Sequence, residues 1–238
     1  MSVYVGEKEA STLYFPTYPY PDTQRQLSSM VFVGEELIFP KERFSEYLRF
    51  EADLEKVELV NGMQATPYRM EAPMWATHAE IYLLGAGGGG NGGGGLGIDG
   101  KGGGAGQWTS GTLKVNPGRE FFVNVGIGGS GGGSSGGKGR SGASTTAGTV
   151  MALSGHFLSA SGGAPGGSKS SVGESAASKT VGTVVLEGGA GGQREQPGSS
   201  PGGGGGGGAG SWTPGESTGG REGGNGLAYI RFARYGVQ

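Results

Sequence analysis

The sequence predicts an all-β protein, in which a small N-terminal β-hairpin module precedes a β-sandwich of jelly-roll-like type with glycine-rich excursions. Glycine supplies 58 of the 238 residues, and all but three of these glycines lie after residue 84. Apolar runs of strand length, such as IYLLGA, FFVNVGI and LAYIRF, interrupt the glycines. Short strands separated by turn residues are typical of a sandwich or a barrel.

Composition and charge divide the chain into two predicted domains. Residues 1–84 carry a net charge of −6 and residues 85–238 a net charge of +4. We therefore expect a docking or assembly module over residues 1–75 and a glycine-rich β-sandwich over residues 76–238. The positive charge of the second part is too dilute to predict binding to nucleic acid.

The N-terminal module contains an internal repeat, because VYVGE at residues 3–7 recurs as VFVGE at residues 31–35. The longer segment VFVGEELIFP predicts two strands joined by a two-residue turn, with Gly34 suited to a type II′ geometry. Three prolines among aromatic residues predict a stiff extended segment that lies across a neighbouring subunit or across its own domain. These prolines are Pro16, Pro19 and Pro21.

One stretch has helical spacing. Residues 41–60 place Phe44, Tyr47 and Leu48 three and four positions apart, which predicts a short helix. We expect the following residues, 63 to about 77, to be a connector.

The second part of the chain contains the predicted sandwich strands. Each is a short apolar run bounded by glycine or by a turn signal. The candidates are residues 79–84, Gly106–Val115, Glu120–Ile127, Thr149–Ala152, Phe157–Ala160, Val181–Leu186 and Leu227–Phe232.

The glycine tracts between these strands predict an ordered scaffold rather than a loose tether. Ordering glycine costs more entropy than ordering any other residue, and glycine has no side chain to bury in return. Polyproline-II-like helices of polyglycine avoid this difficulty when they pack side by side and bond backbone to backbone. The tracts at residues 85–95 and 202–208 are the clearest candidates. Valine at Gly92 or Gly205 should then lower the thermal stability sharply.

A second repeat selects the candidate binding residues. The pattern GGGAG-x-WT-x-G occurs at residues 102–111 and again at residues 206–215, so Trp108 and Trp212 each follow a glycine tract. An exposed tryptophan on a rigid support is a typical anchor for a sugar or a protein. The alternative, which we favour, is that both indoles pack as apolar plugs on the glycine layers.

No catalytic, cofactor or metal site is predicted. The sequence has no cysteine and two histidines, without an HExxH motif. Residues 132–138 have the spacing of a P-loop, but Gly139 stands where a serine or threonine would bind Mg²⁺, and we interpret the segment as a turn. The chain also lacks a signal-peptide pattern at its start and any apolar stretch near 18 residues, so we expect a soluble protein made in a cytoplasm.

The glycine-rich part resembles a domain of bacteriophage tail proteins, especially the minor tail proteins of actinobacteriophages. The resemblance rests on a strand that ends in a glycine tract (residues 81–95), a strand pair with an Asn-Pro-Gly turn (residues 113–125) and the segment VGIGGSGG (residues 125–132). More distantly, the tracts resemble the packed polyglycine helices of tail-fibre-tip adhesins, whose N-terminal pattern residues 1–75 do not match.

The resemblance implies a virion structural protein, a minor tail protein at or near the tail tip. Its expected partners are other tail proteins and further copies of itself in a trimer or ring. The expected role is tail assembly, with a host cell-surface glycan or protein as a further partner, and no nucleic acid or membrane insertion is expected. The alternative is a receptor-binding adhesin that acts through its glycine-rich loops.

Overall fold

The computed structural model describes residues 43–60, 62–149, 157–213 and 215–235, preceded by the backbone of four short strands. The predicted all-β class is confirmed: the described regular elements are β-strands, apart from one three-residue 3-10 helix at Leu54–Lys56. In chain order the strands are β1 (Tyr4–Val5), β2 (Lys8–Glu9), β3 (Val31–Val33), β4 (Glu36–Ile38), β5 (Arg43–Phe44), β6 (Leu48–Glu51), β7 (Glu58–Val60), β8 (Met63–Glu71), β9 (His78–Leu84), β10 (Trp108–Lys114), β11 (Glu120–Gly126), β12 (Thr145–Gly148), β13 (Phe157–Ala160), β14 (Lys179–Val181), β15 (Val184–Leu186) and β16 (Leu227–Arg234).

Two of the N-terminal strands form the predicted hairpin. Strands β3 and β4 pair antiparallel, and the Val33↔Glu36 pair leaves two residues for the turn. Strands β1 and β2 pair in the same way. The turn at Gly34 and the proline segment of residues 16–21 lie outside the described residues.

The sandwich consists of two five-stranded sheets. In the first sheet the order is β10-β9-β16-β5, with β6 also pairing with β16; in the second it is β13-β12-β11-β8-β7. The pairs within both sheets are antiparallel. A further hairpin, β14–β15, forms a separate two-stranded sheet without backbone pairing to either five-stranded sheet.

The core lies between the two sheets. Alternate residues of β9, β11 and β16 point inward, which is the period of a strand with one buried face. Phe121 and Phe232 meet across the core in an edge-to-face contact with ring centroids 5.7 Å apart. Burial of each such side chain stabilises the fold by about 1.5–3 kcal/mol. The buried residues of these three strands include Ala79, Ile81, Leu83, Phe121, Val123, Val125, Ala228, Ile230 and Phe232.

The predicted helix within residues 41–60 is wrong. This stretch contains β5, β6, the 3-10 helix and β7 instead. Phe44 and Tyr47 share a face because both rings stack on the Arg231 guanidinium, at 4.6 and 4.8 Å from the ring centroids. Two aromatic residues three positions apart can therefore make cation–π contacts with the same guanidinium without lying on a helix.

The predicted connector at residues 63–77 is also wrong over much of its length. Residues 63–71 form β8, the longest strand, which pairs with both β11 and β7. Strands β5 and β6 likewise pair with β16. Strands within residues 43–71 therefore contribute to both sheets of the sandwich.

One later strand differs in detail from the prediction, and another lies mostly outside the described residues. Strand β12 lies at Thr145–Gly148, and the predicted strand Thr149–Ala152 lies outside the described residues beyond Thr149. The predicted strand Val181–Leu186 is a hairpin, since Gly182 adopts a φ of +59° and reverses the chain between β14 and β15. The antiparallel pairing places every long glycine segment at one end of the sandwich. Loops 72–77 and 115–119 lie at the other end, which we call the opposite pole.

Candidate functional site

The glycine segments form a bundle, and residues 85–94 are its hub. Successive hub amides donate to three different tracts in turn, namely residues 100–107, 137–143 and 218–224. Each tract therefore receives a bond from every third hub residue, as when Gly90 N donates to Arg221 O across 2.8 Å. A period of three is that of the polyproline-II helix.

The hub carbonyls are satisfied in the same manner. They accept from three further tracts, which lie within residues 129–136, 163–166 and 205–208. For example, Gly132 N donates to Gly90 O across 2.8 Å. The hub is thus bonded to six neighbours, and most of its buried backbone groups are paired by other backbone groups.

Residues 202–209 form a second hub. Its amides donate to residues 171–174 and 196–199 as well as to the first hub. Its carbonyls accept from residues 100–106, 192–195 and 218–224. The predicted polyglycine scaffold is therefore present, and both tracts singled out from the sequence lie at its centre.

Close packing explains why these positions are glycine. A Cβ atom at Gly90 would overlap the carbonyl oxygen of Gly206, and one at Gly92 would overlap that of Gly133. A Cβ at Gly205 would overlap the carbonyl oxygen of Arg221. In each case the obstacle is backbone, which cannot move aside as a flexible side chain would. The bundle accordingly tolerates no side chain at these positions.

The bundle ends, away from the sandwich, in loops that we call the apex (residues 95–99, 194–195, 211–213 and 215–216). Three large apolar side chains are exposed there: Leu96 at 69%, Ile98 at 63% and Trp212 at 78%. The first turn is closed by Ile98 N, which donates to Gly95 O across 3.3 Å. Ser211 N donates to Gly94 O across 3.2 Å and joins the two loops.

Leu96 is unusual in two respects: its apolar side chain is exposed, and its backbone lies in the left-handed region, which non-glycine residues rarely adopt. Its φ is +60°, followed by Gly97 at +71°. A second turn of the bundle has the same geometry, with Ser135 at +64° and Gly136 at +78°. That turn is polar, so the turn itself does not require an apolar residue. Unfavourable choices of this kind concentrate at functional sites.

The indole of Trp212 lies against the backbone of the same turn. A Cβ atom at Gly97 would come within 2.6 Å of Trp212 Nε1, so glycine leaves the space that the ring occupies. The ring is thereby supported on one side and open to solvent on the other.

Asp99 fastens the apex to the bundle. Its Oδ1 accepts from Gly210 N across 3.0 Å, and its Oδ2 accepts from Arg194 Nη1, also across 3.0 Å. The hydrogen bond from Gly210, followed by that from Arg194, holds the pKa of this carboxyl below its usual value. One carboxylate therefore connects three loops of the chain.

Trp108 lies at the sandwich end of the bundle. Its Nε1 donates to Ala177 O across 2.6 Å, and its half-buried ring packs against a cluster formed by Leu84, Ala105, Ala176 and Leu227. The tract of residues 100–107 separates it from the apex by roughly 25 Å, at about 3.1 Å per residue. Trp108 thus has the packing of a plug, whereas Trp212 has the exposure of a surface anchor.

The structure therefore does not bring the two tryptophans together. Trp212 is accompanied instead by Leu96 and Ile98, which the sequence analysis did not select. The sequence did contain a signal for them: Leu96, Ile98 and Asp99 interrupt the run GGGGLGIDGKGGG, and this interruption marks a turn between two tracts.

The apex suits binding by apolar contact. Among the described residues, no three histidine, aspartate or glutamate side chains cluster as metal ligands would. In the part of the chain that the structure describes, no helix is long and apolar enough to span a membrane.

The fold and the apex define a class of protein: a β-sandwich that carries a polyglycine bundle with loops at its tip. The sequence model of the glycine-rich domain matches residues 63–196, more than half of the chain. The chain belongs to this glycine-rich domain family. Among curated proteins no match was found.

Proposed function

We propose that this chain is a minor tail protein of a bacteriophage, located at or near the tail tip and acting in tail assembly. The observation that supports the proposal is the hub of residues 85–94, bonded on six sides by other tracts. Such a bundle holds loops at a fixed distance from the sandwich. A protein that holds a contact surface at a fixed distance from its own attachment site is suited to a structural role.

In this proposal the partners are other tail proteins and further copies of the chain. The sandwich and the N-terminal strands form the attached part, and the bundle projects from it. A hub of ten residues extends about 31 Å, at roughly 3.1 Å per residue. The virion tail is then the site of action.

Imaging of purified particles tests this role. Particles labelled with antibodies against residues 157–213 should carry the label at one end of the tail. Mass spectrometry of the same particles should identify the chain in a fixed ratio to the other tail proteins. Particles that lack the chain altogether would refute the proposal.

A receptor-binding adhesin is the second candidate, and the exposure of Leu96, Ile98 and Trp212 favours it. Purified protein should then bind host cells in a saturable manner, and Trp212→Ser should abolish the binding. Val185→Ser, an exposed position on the β14–β15 hairpin, is the matched control. Binding to tail proteins alone would leave assembly as the role.

A further inference from the structure

The outer face of the first sheet carries a row of aromatic and polar side chains. On β9 and β16 the residues that alternate with the buried core point away from it, among them Tyr82 and Tyr229. These two tyrosines are directly paired across the strands, and both are partly exposed. The register continues the row to Ser110 on β10 and to Arg49 on β6. Three strand spacings give the row a length of about 14 Å.

The β14–β15 hairpin stands against one end of this row. Lys179, the first residue of β14, donates from Nζ to Ser110 Oγ across 2.8 Å, and its Nζ lies 5.7 Å from the Tyr82 ring centroid. Just before the hairpin, Ala177 O accepts from Trp108 Nε1. These contacts fix the hairpin to the sheet, so that the lysine forms a wall beside a floor of two tyrosines. We call this arrangement the sheet corner, which comprises Tyr82, Ser110, Lys179 and Tyr229.

The Lys179 ammonium differs from the other cations on this face because it lacks a counter-ion. Arg49 pairs with Glu51, and Arg231 donates to Glu80 through two of its nitrogens. Within the part of the chain that the structure describes, no carboxylate lies at ion-pair distance from Lys179 Nζ. An anion that enters the sheet corner would therefore meet a cation that is already held in position.

The floor of the sheet corner suits a sugar ring. Cations stand over both tyrosine rings near the outer limit of such contacts, about 6 Å, so the ring faces are turned outward. Aromatic faces pack against the apolar C–H face of a pyranose, and hydroxyl groups such as that of Ser110 bond to its edge. A single strand of nucleic acid instead requires a groove with several positive charges, because each nucleotide carries a phosphate. One unpaired ammonium therefore favours a glycan with spaced carboxylates.

We propose that the sheet corner binds an acidic glycan, whose carboxylate bonds to Lys179 while its sugar rings stack on Tyr82 and Tyr229. The ligand is an oligosaccharide or polysaccharide that contains uronic or sialic acid. The bond from the ammonium to the carboxylate is charge-assisted, which is the stronger kind of hydrogen bond. The site lies on the sandwich, whereas the apex lies beyond the bundle, so the inference depends neither on the tail role nor on the apex.

An array of glycans tests the specificity of the full chain when each carboxylated glycan is printed beside its neutral counterpart. Carboxylated glycans should be bound, and the neutral counterparts should bind at least about tenfold more weakly, as expected for the loss of a charge-assisted hydrogen bond. Calorimetric titration with the best-bound glycan then gives its dissociation constant. Absence of binding across the array, equal binding of neutral glycans, or tighter binding of single-stranded oligothymidylate would each overturn the proposal.

Two variants locate the site. Lys179→Met removes the ammonium and keeps an apolar stem, and Tyr229→Ala removes half of the floor. Each should weaken binding of that glycan at least about tenfold. Lys114→Met makes the same charge change on the same face, about 13 Å along β10 from Ser110, and should bind as the wild type does. Trp212→Ser should also bind as the wild type does, which separates this site from the apex.

Circular dichroism and the melting temperature verify that each variant folds. Lys179 is partly exposed, so Lys179→Met maintains the test even where Tyr229→Ala proves unstable. Wild-type affinity in Lys179→Met would overturn the proposal. An equal loss of affinity in Lys114→Met or in Trp212→Ser would place the binding elsewhere on the molecule and would overturn it as well.

Discussion

Asp99 Oδ2 lies 3.0 Å from Arg194 Nη1, although the two residues are 95 positions apart in the chain. The contact forms only when two separate turns of the bundle meet at the apex. It therefore reports on the assembly of the bundle as a whole.

Replacement of this carboxylate should weaken the protein in a pH-dependent way. The folded pKa of Asp99 is depressed, so its contribution is present above the unfolded pKa and is lost as the pH falls through the folded pKa. Asp99→Asn should lower the free energy of unfolding at pH 7 by less than about 1 kcal/mol, because the pair is partly exposed. Urea unfolding at neutral and acid pH measures this difference, which should vanish in acid. Lys101→Gln, at an exposed neighbouring position, should show no such pH dependence.

The steric role of glycine can be tested at two positions one helical turn apart. A Cβ atom at Gly92 would overlap Gly133 O, whereas one at Gly95 has nothing within 4 Å. Gly92→Ala should cost at least about 1–3 kcal/mol, the usual penalty for overpacking. Gly95→Ala should leave the stability unchanged or raise it slightly, because alanine restricts the unfolded chain. Equal melting temperatures of the two variants would contradict the steric account.

Amide hydrogen exchange should distinguish the hub from the apex. The amides of residues 85–93 each donate a backbone hydrogen bond, and most of these residues are buried. They should exchange only upon global opening of the fold. Leu96 and Gly97 form an exposed turn and should exchange rapidly. Rapid exchange throughout residues 85–93 would show that the bundle is not a rigid support.

The two tryptophans should respond differently to replacement by phenylalanine. Trp108→Phe loses the hydrogen bond to Ala177 O and should cost about 1 kcal/mol. Trp212→Phe should change stability by no more than about 0.5 kcal/mol, as expected for an exposed position. Trp212→Phe should also remove most of the fluorescence that acrylamide quenches. Quenching that persists in this variant would indicate that Trp212 is not the exposed indole.

Tyr235 should ionise late. Burial, assisted by the hydrogen bond that its hydroxyl donates to Glu80 Oε1 across 2.6 Å, raises its pKa to about 12. The neutral form is favoured by folding, so this stabilisation is complete below the unfolded pKa near 10 and is lost as the pH rises through about 12. Tyrosinate absorbance should show a late phase that Tyr235→Phe removes. Glu80→Gln should move that phase to lower pH.

The sequence predicted the structure best where close backbone packing allows only glycine. The hubs were predictable because packed backbone excludes Cβ atoms, as at Gly92 and Gly205, so the tracts had to be nearly pure glycine. The strand β9 was predictable because its apolar run ends abruptly in glycine.

Other features depended on partners distant in the chain. The spacing of Phe44 and Tyr47 is explained by Arg231, nearly 190 positions later. Strand β8 was missed because its mixed composition, MQATPYRME, acquires a strand conformation by pairing on both sides. The apex was missed because the interruption at residues 96–99 marks a turn in the sequence but does not show that Leu96 lies exposed at the end of the first hub.

The strand at the centre of the first sheet and the second hub of the glycine bundle both lie in the C-terminal part of the described residues, so they are synthesised after the elements that they join. Strand β16 lies between β9 and the short strands β5 and β6, and the second hub comprises residues 202–209. A nascent chain that stops before residue 200 has an open sheet edge and a bundle without its second axis. Such a fragment offers exposed strand edges to proteases and chaperones. The first sheet and the bundle therefore become complete only after residues 202–234 have been synthesised.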